Sequence, residues 1–477
     1  MQTIARRIGS LGALVLVFAS VELAFAGDPQ ASAATLGGDA DFNLARLVEL
    51  EQQRGGGGAD ETASPTVIAG WDKDKGFFIS DSTKEQYLLQ IGGLIQARYT
   101  FKENGSHGPE VPGVKYYDQS FFEIQRARLY LTGFVLDPKL MYNFTMQGST
   151  DDGGSVKILD AYGAYKLGGA LFGEENKEAM TIGVGQWKPY FLRQYSASAR
   201  RLQMVDRSLA TEFFQIGRQI GIWAQGELGP VFYAFALTNG FGSVNTPSTS
   251  VDQIPALVGK LDLSIFGNTG AKYEESNVRC TEDFLWTIGA SGAFDKNNGT
   301  TSTDTQQFTC FTFGLDTVMK WWVFSLQAEY MGRWLSYPSD VGGPGVPGMV
   351  GDSGYKYTQG YYVQGGIFIW PEVLEVAARV SGVVACDGGR NGDGVEVGPG
   401  LNWYISKSHK VKLQTDLMYF SLSPNMPVMT TGLGSNFVED PTDPAQIDSF
   451  VPFLSNAANL KSGQVGFQWR TQLQIWF

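Results

Sequence analysis

Cysteine and histidine are nearly missing from this chain, with 3 Cys and 2 His among 477 residues. His107 and His409 both sit beside turn residues, and neither lies in a nucleophile elbow or an H-E-x-x-H motif. A His-based zinc site or a Ser-His hydrolase therefore has almost nothing to draw on. Cys280, Cys310 and Cys386 lack metal-ligand spacing, and three cysteines in an exported chain leave at least one unpaired. The chain is read as non-enzymatic, with no catalytic residue, no metal site and no cofactor. Long apolar runs are also missing. Nothing after residue 26 approaches the roughly 20 apolar residues that a spanning helix needs. A membrane protein without such a run must be a closed barrel, because lipid cannot satisfy an open sheet edge. A basic surplus is lacking too: the formal net charge is -12, and no nucleic-acid partner is expected.

What the chain does have is glycine, 60 residues of it, and 13% aromatics, with turn clusters every 20 or so residues. That composition favours repeated strands over helices. The first 26 residues stand apart. Arg6 and Arg7 precede an apolar core at Leu11 to Val21, and Ala24-Phe25-Ala26 before Gly27 has the small-x-small form of a cleavage site. Residues 1–26 are thus read as a signal peptide. Its removal takes two arginines and one glutamate and leaves a net charge of -13. Residues 27–70 read as a tether: a short amphipathic helix at Asp41 to Gln53, then four glycines at Gly55 to Gly58. A small coiled coil between protomers is the alternative there. Residues 71–477 are expected to form the barrel.

From Gln86 onward the hydrophobic period is two. In Phe121 to Leu136, the residues Ala127, Leu129, Leu131, Gly133 and Val135 share one parity, and Arg126, Arg128, Tyr130 and Thr132 the other. A charge at the bilayer midplane of the outer face costs roughly 2–4 kcal/mol, so Arg126 and Arg128 must face a wet interior. The last strand is the clearest: Phe467, Trp469, Thr471, Leu473, Ile475 and Phe477 face one way, and Gln468, Arg470, Gln472 and Gln474 the other. Aromatics at both ends of an apolar face suit the two membrane interfaces.

Strands are expected near 86–102, 121–136, 139–149, 156–167, 178–187, 218–228, 230–239 and 255–267. Eight more follow near 282–293, 307–319, 321–335, 355–370, 373–384, 394–405, 410–422 and 464–477. The result is an all-β transmembrane antiparallel barrel of about 16 strands, the even number typical of bacterial outer-membrane barrels. Alternate connections are short (Asp137-Pro138-Lys139, Leu228-Gly229-Pro230, Lys320, Pro371-Glu372, Ser406 to His409), and those between them are long and rich in Gly, Pro, Ser and Thr. Residues 168–177 and 268–281 are longer than that asymmetry favours.

One connection differs in charge. Gln186 to Arg218 carries Lys188, Arg193, Arg200, Arg201, Arg207 and Arg218 against Asp206 and Glu212, about +4 in an acidic chain. Long connections without secondary structure of their own are usually functional. The basic residues either line a solute path or pin the loop to the wall by Arg–carboxylate pairs. Asp206 and Glu212 serve as counter-charges in the second case, or as a negative wall opposite a positive one. Lys157, Asp160, Lys260, Asp262, Glu329 and Arg333 are mixed in sign and read as solvated interior.

Several segments resemble the phosphate-selective porins O and P. They are Gly70-Trp71-Asp72 through Ile79, LQIGGLIQ at Leu89 to Gln96, FEIQRARL at Phe122 to Leu129 and ILDAYGAY at Ile158 to Tyr165. TIGVGQWKPYF at Thr181 to Phe191 and MVDRSLATEFFQIGRQIGI at Met204 to Ile222 complete the set. These motifs are dense over about 70–240. The resemblance implies a 16-stranded homotrimeric outer-membrane porin whose third long loop folds into the lumen, selective for small anions through an arginine ladder and a lysine cluster. By position it implies pore-lining roles for Arg126, Arg128, Lys188, Arg207 and Arg218; Arg193, Arg200 and Arg201 join them as basic loop residues. Lys188 is the only lysine in the loop. An anion-preferring porin for phosphate or a similar solute is therefore one expectation, and a weakly selective general porin or an envelope or adhesion scaffold the others. The expected partners are small anionic solutes and outer-membrane lipid.

Overall fold

The computed structural model describes residues 67–72, 76–103, 118–150, 153–243, 245, 254–267, 273–297, 308–336, 355–385, 393–422 and 465–477. The segments read as signal peptide, helix and glycine linker lie outside these residues, as does Cys386.

Eighteen strands are present among the described residues, all paired antiparallel. Sixteen of them, β3 (Tyr87–Lys102) through β18 (Val465–Trp476), pair each with the next, and β18 pairs back onto β3 to close the ring. These sixteen coincide with the strands expected from period two. The other two form a hairpin, β1 (Val67–Asp72) and β2 (Gly76–Asp81), in the first of the motif segments. β1 begins before residue 71, where the barrel was expected to start. β2 pairs with Leu88–Ile91 of β3, and β18 pairs with the later part of the same strand, Leu94–Lys102. β3 thus carries two partners in succession along one edge. Phe477 completes the seam: Gly93 and Phe477 exchange backbone hydrogen bonds of 2.9 and 3.0 Å. A Cβ at Gly93 would lie 2.4 Å from the Phe477 ring, so only glycine lets the terminal aromatic cross the strand there.

The alternation decides which side meets lipid. On β18, Phe467, Trp469, Leu473 and Ile475 point out and are 40–47% exposed, whereas Gln468, Arg470, Gln472 and Gln474 point in and are buried. β4 (Gln119–Val135) follows the same rule with one break. A bulge leaves Gln125 unpaired between Gln96↔Arg126 and Ala97↔Ile124. The extra residue resets the parity, so Phe122 and Ile124 face outward together with Ala127 and Leu129. A strict period of two would have turned them inward.

Tight turns gather at one end of the barrel, with Leu136, Trp322, Glu372 and Lys407 each at positive φ. Long connections gather at the other. Two connections at the turn end are larger. Residues 167–180 form a short helix, Gly168–Phe172, followed by a 3-10 turn. Residues 273–278 run inward.

Candidate functional site

Between β7 (Thr181–Trp187) and β8 (Gln219–Leu228), residues 188–218 turn into the barrel and pack across its interior. The loop is folded, with short helices at Arg193–Ser196 and Leu209–Phe214 and a 3-10 turn at Ala199–Arg201. Phe191, Leu192, Tyr195, Met204, Leu209, Phe213, Phe214 and Ile216 are buried in one apolar cluster with wall residues Met331, Tyr362, Val383, Met418 and Phe420. Burial of this area is the main cohesive term. Room comes from the wall itself: a Cβ at Gly360 would stand 2.5 Å from the Phe214 ring.

The helix Leu209–Phe214 shows why these residues fold this way. Ser208 caps its N-terminus, accepting from Thr211 N at 3.1 Å. The next free amides are satisfied by the wall, Leu209 N donating to Glu396 Oε2 at 2.7 Å and Ala210 N to Ser381 Oγ at 3.0 Å. At the other end, the Arg333 guanidinium donates to the carbonyls of Phe213 and Phe214 at 3.2 and 2.8 Å. An anion at the N-terminus and a cation at the C-terminus complement the helix dipole.

The eight cations named from sequence divide into two sets. Arg126, Lys188, Arg193 and Arg200 are buried, each 3% exposed or less. Arg193 Nε lies 2.5 Å from Asp316 Oδ1 and its NH2 lies 3.7 Å from Asp262 Oδ1. Arg200 stacks over the Trp476 ring at 3.9 Å. Lys188 Nζ donates to Ala197 O at 3.1 Å. Arg126 donates to Gln96 Oε1 at 2.8 Å and lies 3.5 Å from Asp206 Oδ1. Arg128, Arg201, Arg207 and Arg218 keep partial exposure. Arg218 holds both oxygens of Asp160, at 3.0 and 3.3 Å. Arg128 Nε donates to Gln147 Oε1 at 2.6 Å. Arg207 donates to two loop carbonyls, Gln194 O at 3.1 Å and Ala197 O at 2.9 Å, with no carboxylate in ion-pair reach among the described residues.

The two loop acids behave differently from each other. Asp206 meets three wall arginines: Arg98 at 2.8 Å, Arg470 at 3.0 Å and Arg126 at 3.5 Å. Burial alone would raise its carboxyl, but Arg98, Arg470 and Arg126 together hold it below the ordinary carboxylate value. Glu212 has no such partners. Its carboxylate accepts from Gln215 Nε2 at 2.6 Å, and burial pushes it up to about 7 against the attraction of Arg207.

Wall charges expected to be solvated are instead dry and engaged. Lys260, Asp262, Glu329, Arg333 and Asp160 are all at most 4% exposed, whereas Lys157 alone of that group stays exposed. Lys260 Nζ reaches Asp316 Oδ2 at 2.6 Å, and Glu329 accepts from Arg193 N at 2.7 Å. The loop fills the space that water would have occupied, and ion pairing offsets the desolvation. Arg98, Arg379, Asp416 and Glu275 also hold the loop. Inward parity was the only sequence signal for the first three, and an over-long connection the only one for Glu275.

The sequence matches the phosphate-selective porin O and P family over residues 111–419, well over half of the chain and far past residue 240, where the recognisable motifs thin out. Among curated proteins none matches significantly. Similar solved structures include the outer-membrane channel DcaP of Acinetobacter baumannii, at 13% identity and a TM-score of 0.48, covering 82% of this chain and 98% of that one. OmpT of Vibrio cholerae is similar at 8% identity and 0.47, covering 82% and 98%. OmpF of Salmonella typhi, in complex with daunomycin, is similar at 11% identity and 0.47, again covering 82% and 98%.

Proposed function

The chain belongs to the phosphate-selective porin O and P family, and from that premise we propose that this outer-membrane channel prefers small anions, phosphate or one of similar size and charge. One observation carries the reading. Around Asp206 the arginines outnumber the carboxylates: Arg98 and Arg126 contact it, Glu123 is a second partner of Arg98 at 3.6 Å, and Arg128 and Arg207 lie close enough to Arg126 to repel its charge. Asp206 is shared with Arg470, which has Asp416 as a second partner. Arg128 and Arg207 are the partly exposed members of this group. Low-dielectric walls focus the field of such a cluster onto a narrow aqueous path and raise the local anion concentration. A planar guanidinium also donates two parallel hydrogen bonds to phosphate or carboxylate oxygens. Arg207 is held by neutral groups, two loop carbonyls and the face of the Tyr195 ring, so its charge is available to a passing solute. The reading extends to export by residues 1–26, a tether at 27–70 and assembly as a homotrimer.

A weakly selective general porin is the second reading. It is favoured by the neutralisation of Arg193 and Lys260 on Asp316 and Asp262, and of Arg218 on Asp160. Reversal potential across a KCl gradient separates the two, followed by phosphate added as a blocker. Anion preference with phosphate block is expected. A cation-preferring potential overturns the proposal, a potential near zero favours the general porin, and no conductance favours a scaffold.

A further inference from the structure

The connection between β10 (Ala256–Phe266) and β11 (Leu285–Asn297) leaves the turn end of the barrel, yet from Tyr273 it lies inside. Glu275, Ser276 and Val278 are at most 3% exposed. Ser276 Oγ donates to Glu375 Oε2 at 2.9 Å and accepts from the Tyr404 hydroxyl at 2.8 Å. Lys320 Nζ donates to the carbonyls of Glu274 and Ser276, and Glu274 Oε1 lies 3.0 Å from His409 Nε2. The Tyr273 hydroxyl donates to Asp262 Oδ2 at 2.6 Å, with the Arg193 guanidinium over its ring. Asp262, Lys320, Glu375 and Tyr404 on four strands, with His409 on one turn, thus hold the segment within the lumen.

Glu275 is where this segment meets the basic loop. Its Oε2 accepts from Gln203 N at 2.7 Å and Gln364 Nε2 at 2.9 Å, and its Oε1 from Gln194 Nε2 at 3.0 Å. Glu275 N donates to Arg201 O at 3.3 Å. Two of the three carboxylate donors and the backbone acceptor belong to residues 188–218. Among the described residues no cation pairs with this carboxylate. A buried anion satisfied only by neutral donors is costly to leave half-bonded, so the two segments are fastened together or not at all.

We infer that residues 273–278 form a second constriction element, fastened through Glu275 to the basic loop, so that the narrow part of the channel is built by two segments entering from opposite ends. The inference rests on the chain being a channel and not on its ion preference. The segment supports Arg201 and Gln203 from beneath, and it occupies lumen that a short turn would leave open. Glu275 acts as a positioning residue.

The test uses the full chain in planar bilayers, with barrel folding checked by heat-modifiable electrophoretic mobility. Glu275→Ala is expected to add frequent sub-conductance steps, and replacing residues 273–278 by a Gly-Ser stretch of equal length is expected to raise single-channel conductance. Reversal potential, read in the same traces, reports ion preference separately. A folded variant with wild-type conductance and wild-type noise overturns the inference. As a second arm, Gln203→Cys with Glu275→Cys is made in a chain with Cys280, Cys310 and Cys386 changed to Ser. Oxidation is expected to cross-link the two segments and quieten the open channel, reversed by reductant. Failure to cross-link in a folded barrel overturns it equally.

Discussion

Asp206 Oδ2 lies 2.8 Å from the Arg98 guanidinium, joining the middle of the inward loop to the strand that closes the barrel. Arg470, on the other closing strand, reaches the same oxygen at 3.0 Å. The loop is therefore tied across the β18–β3 seam, where first and last strands meet. One carboxylate serves both sides of that seam.

Removing that charge leaves Arg126 buried without an anion, whereas Arg98 keeps Glu123 at 3.6 Å and Arg470 keeps Asp416. Breaking one partner of a buried ion pair typically costs about 3–5 kcal/mol. Asp206→Asn is expected to release the loop while the wall, held by its own ladders, stays closed. Trypsin cleavage at Arg200 and Arg201 in the folded protein measures the release, together with open-channel noise. Uncleaved, quiet channels would refute the assignment.

Arg207 and Arg193 make a matched comparison, because both are loop arginines and only one is neutralised. Arg207→Ala removes a partly exposed charge held by carbonyls. A unit charge about 4 Å from a solute in water is worth about 1 kcal/mol, a roughly fivefold change in anion partition. Anion-to-cation permeability is expected to fall by that order with folding unchanged. Arg193→Ala instead leaves Asp316 to Lys260 and takes a buried cation away from Asp316 and Asp262, while the backbone amide to Glu329 is retained. It is expected to raise noise and lower thermal stability with a smaller change in ion preference. Equal effects on preference from both would contradict the division of the eight cations.

The sixteen wall strands were legible because lipid on one side enforces a period of two, and β18 declares it from Phe467 to Ile475. The β4 bulge was not, since one inserted residue reverses the parity without any change in composition. Inward parity identified Lys260, Asp262, Glu329 and Arg333 as interior, but it cannot tell a wet interior from a filled one. The partners that dry them come from far along the chain: Asp316 lies 123 residues from Arg193, and Asp416 is 211 from Val205. The loop itself stood out by its charge. The inward run at 273–278 showed only as a connection too long for its place, because its anchors, such as Tyr273 on Asp262 and Ser276 on Glu375, follow no periodic pattern.

Gly360 tests whether the wall is shaped for the loop. A Cβ there would lie 2.5 Å from the Phe214 ring and 3.2 Å from Gly382 O. Overpacking of this kind costs about 1–3 kcal/mol. Gly360→Val is expected to displace Phe214, and with it the carbonyls that Arg333 caps, while leaving strand pairing intact. Single-channel conductance should change with heat-modifiable mobility preserved. A variant identical to wild type in conductance would show that the loop does not depend on this contact.

Glu212 makes the channel's charge pH-dependent. Its ordinary value is 4.5, and burial raises it to about 7 in the folded chain, so the folded state holds a proton that the unfolded state has lost. The sign follows: folded stability falls as pH rises from about 4.5 toward 7 and is level above it. Below 7 the loop carries Arg207 beside a neutral carboxyl; above 7 it carries Arg207 beside an anion. Anion preference is accordingly expected to decline between about pH 6 and 8, a window about one unit either side of that value. The groups facing Glu212 that share its field are Arg207, Asp206 and Arg126, with Gln215 as hydrogen-bond donor. Glu212→Gln is expected to flatten the pH dependence of the reversal potential toward its acid-side value and to reduce the stability slope. A Glu212→Gln channel that still titrates across neutrality would place the responsible group elsewhere in the lumen.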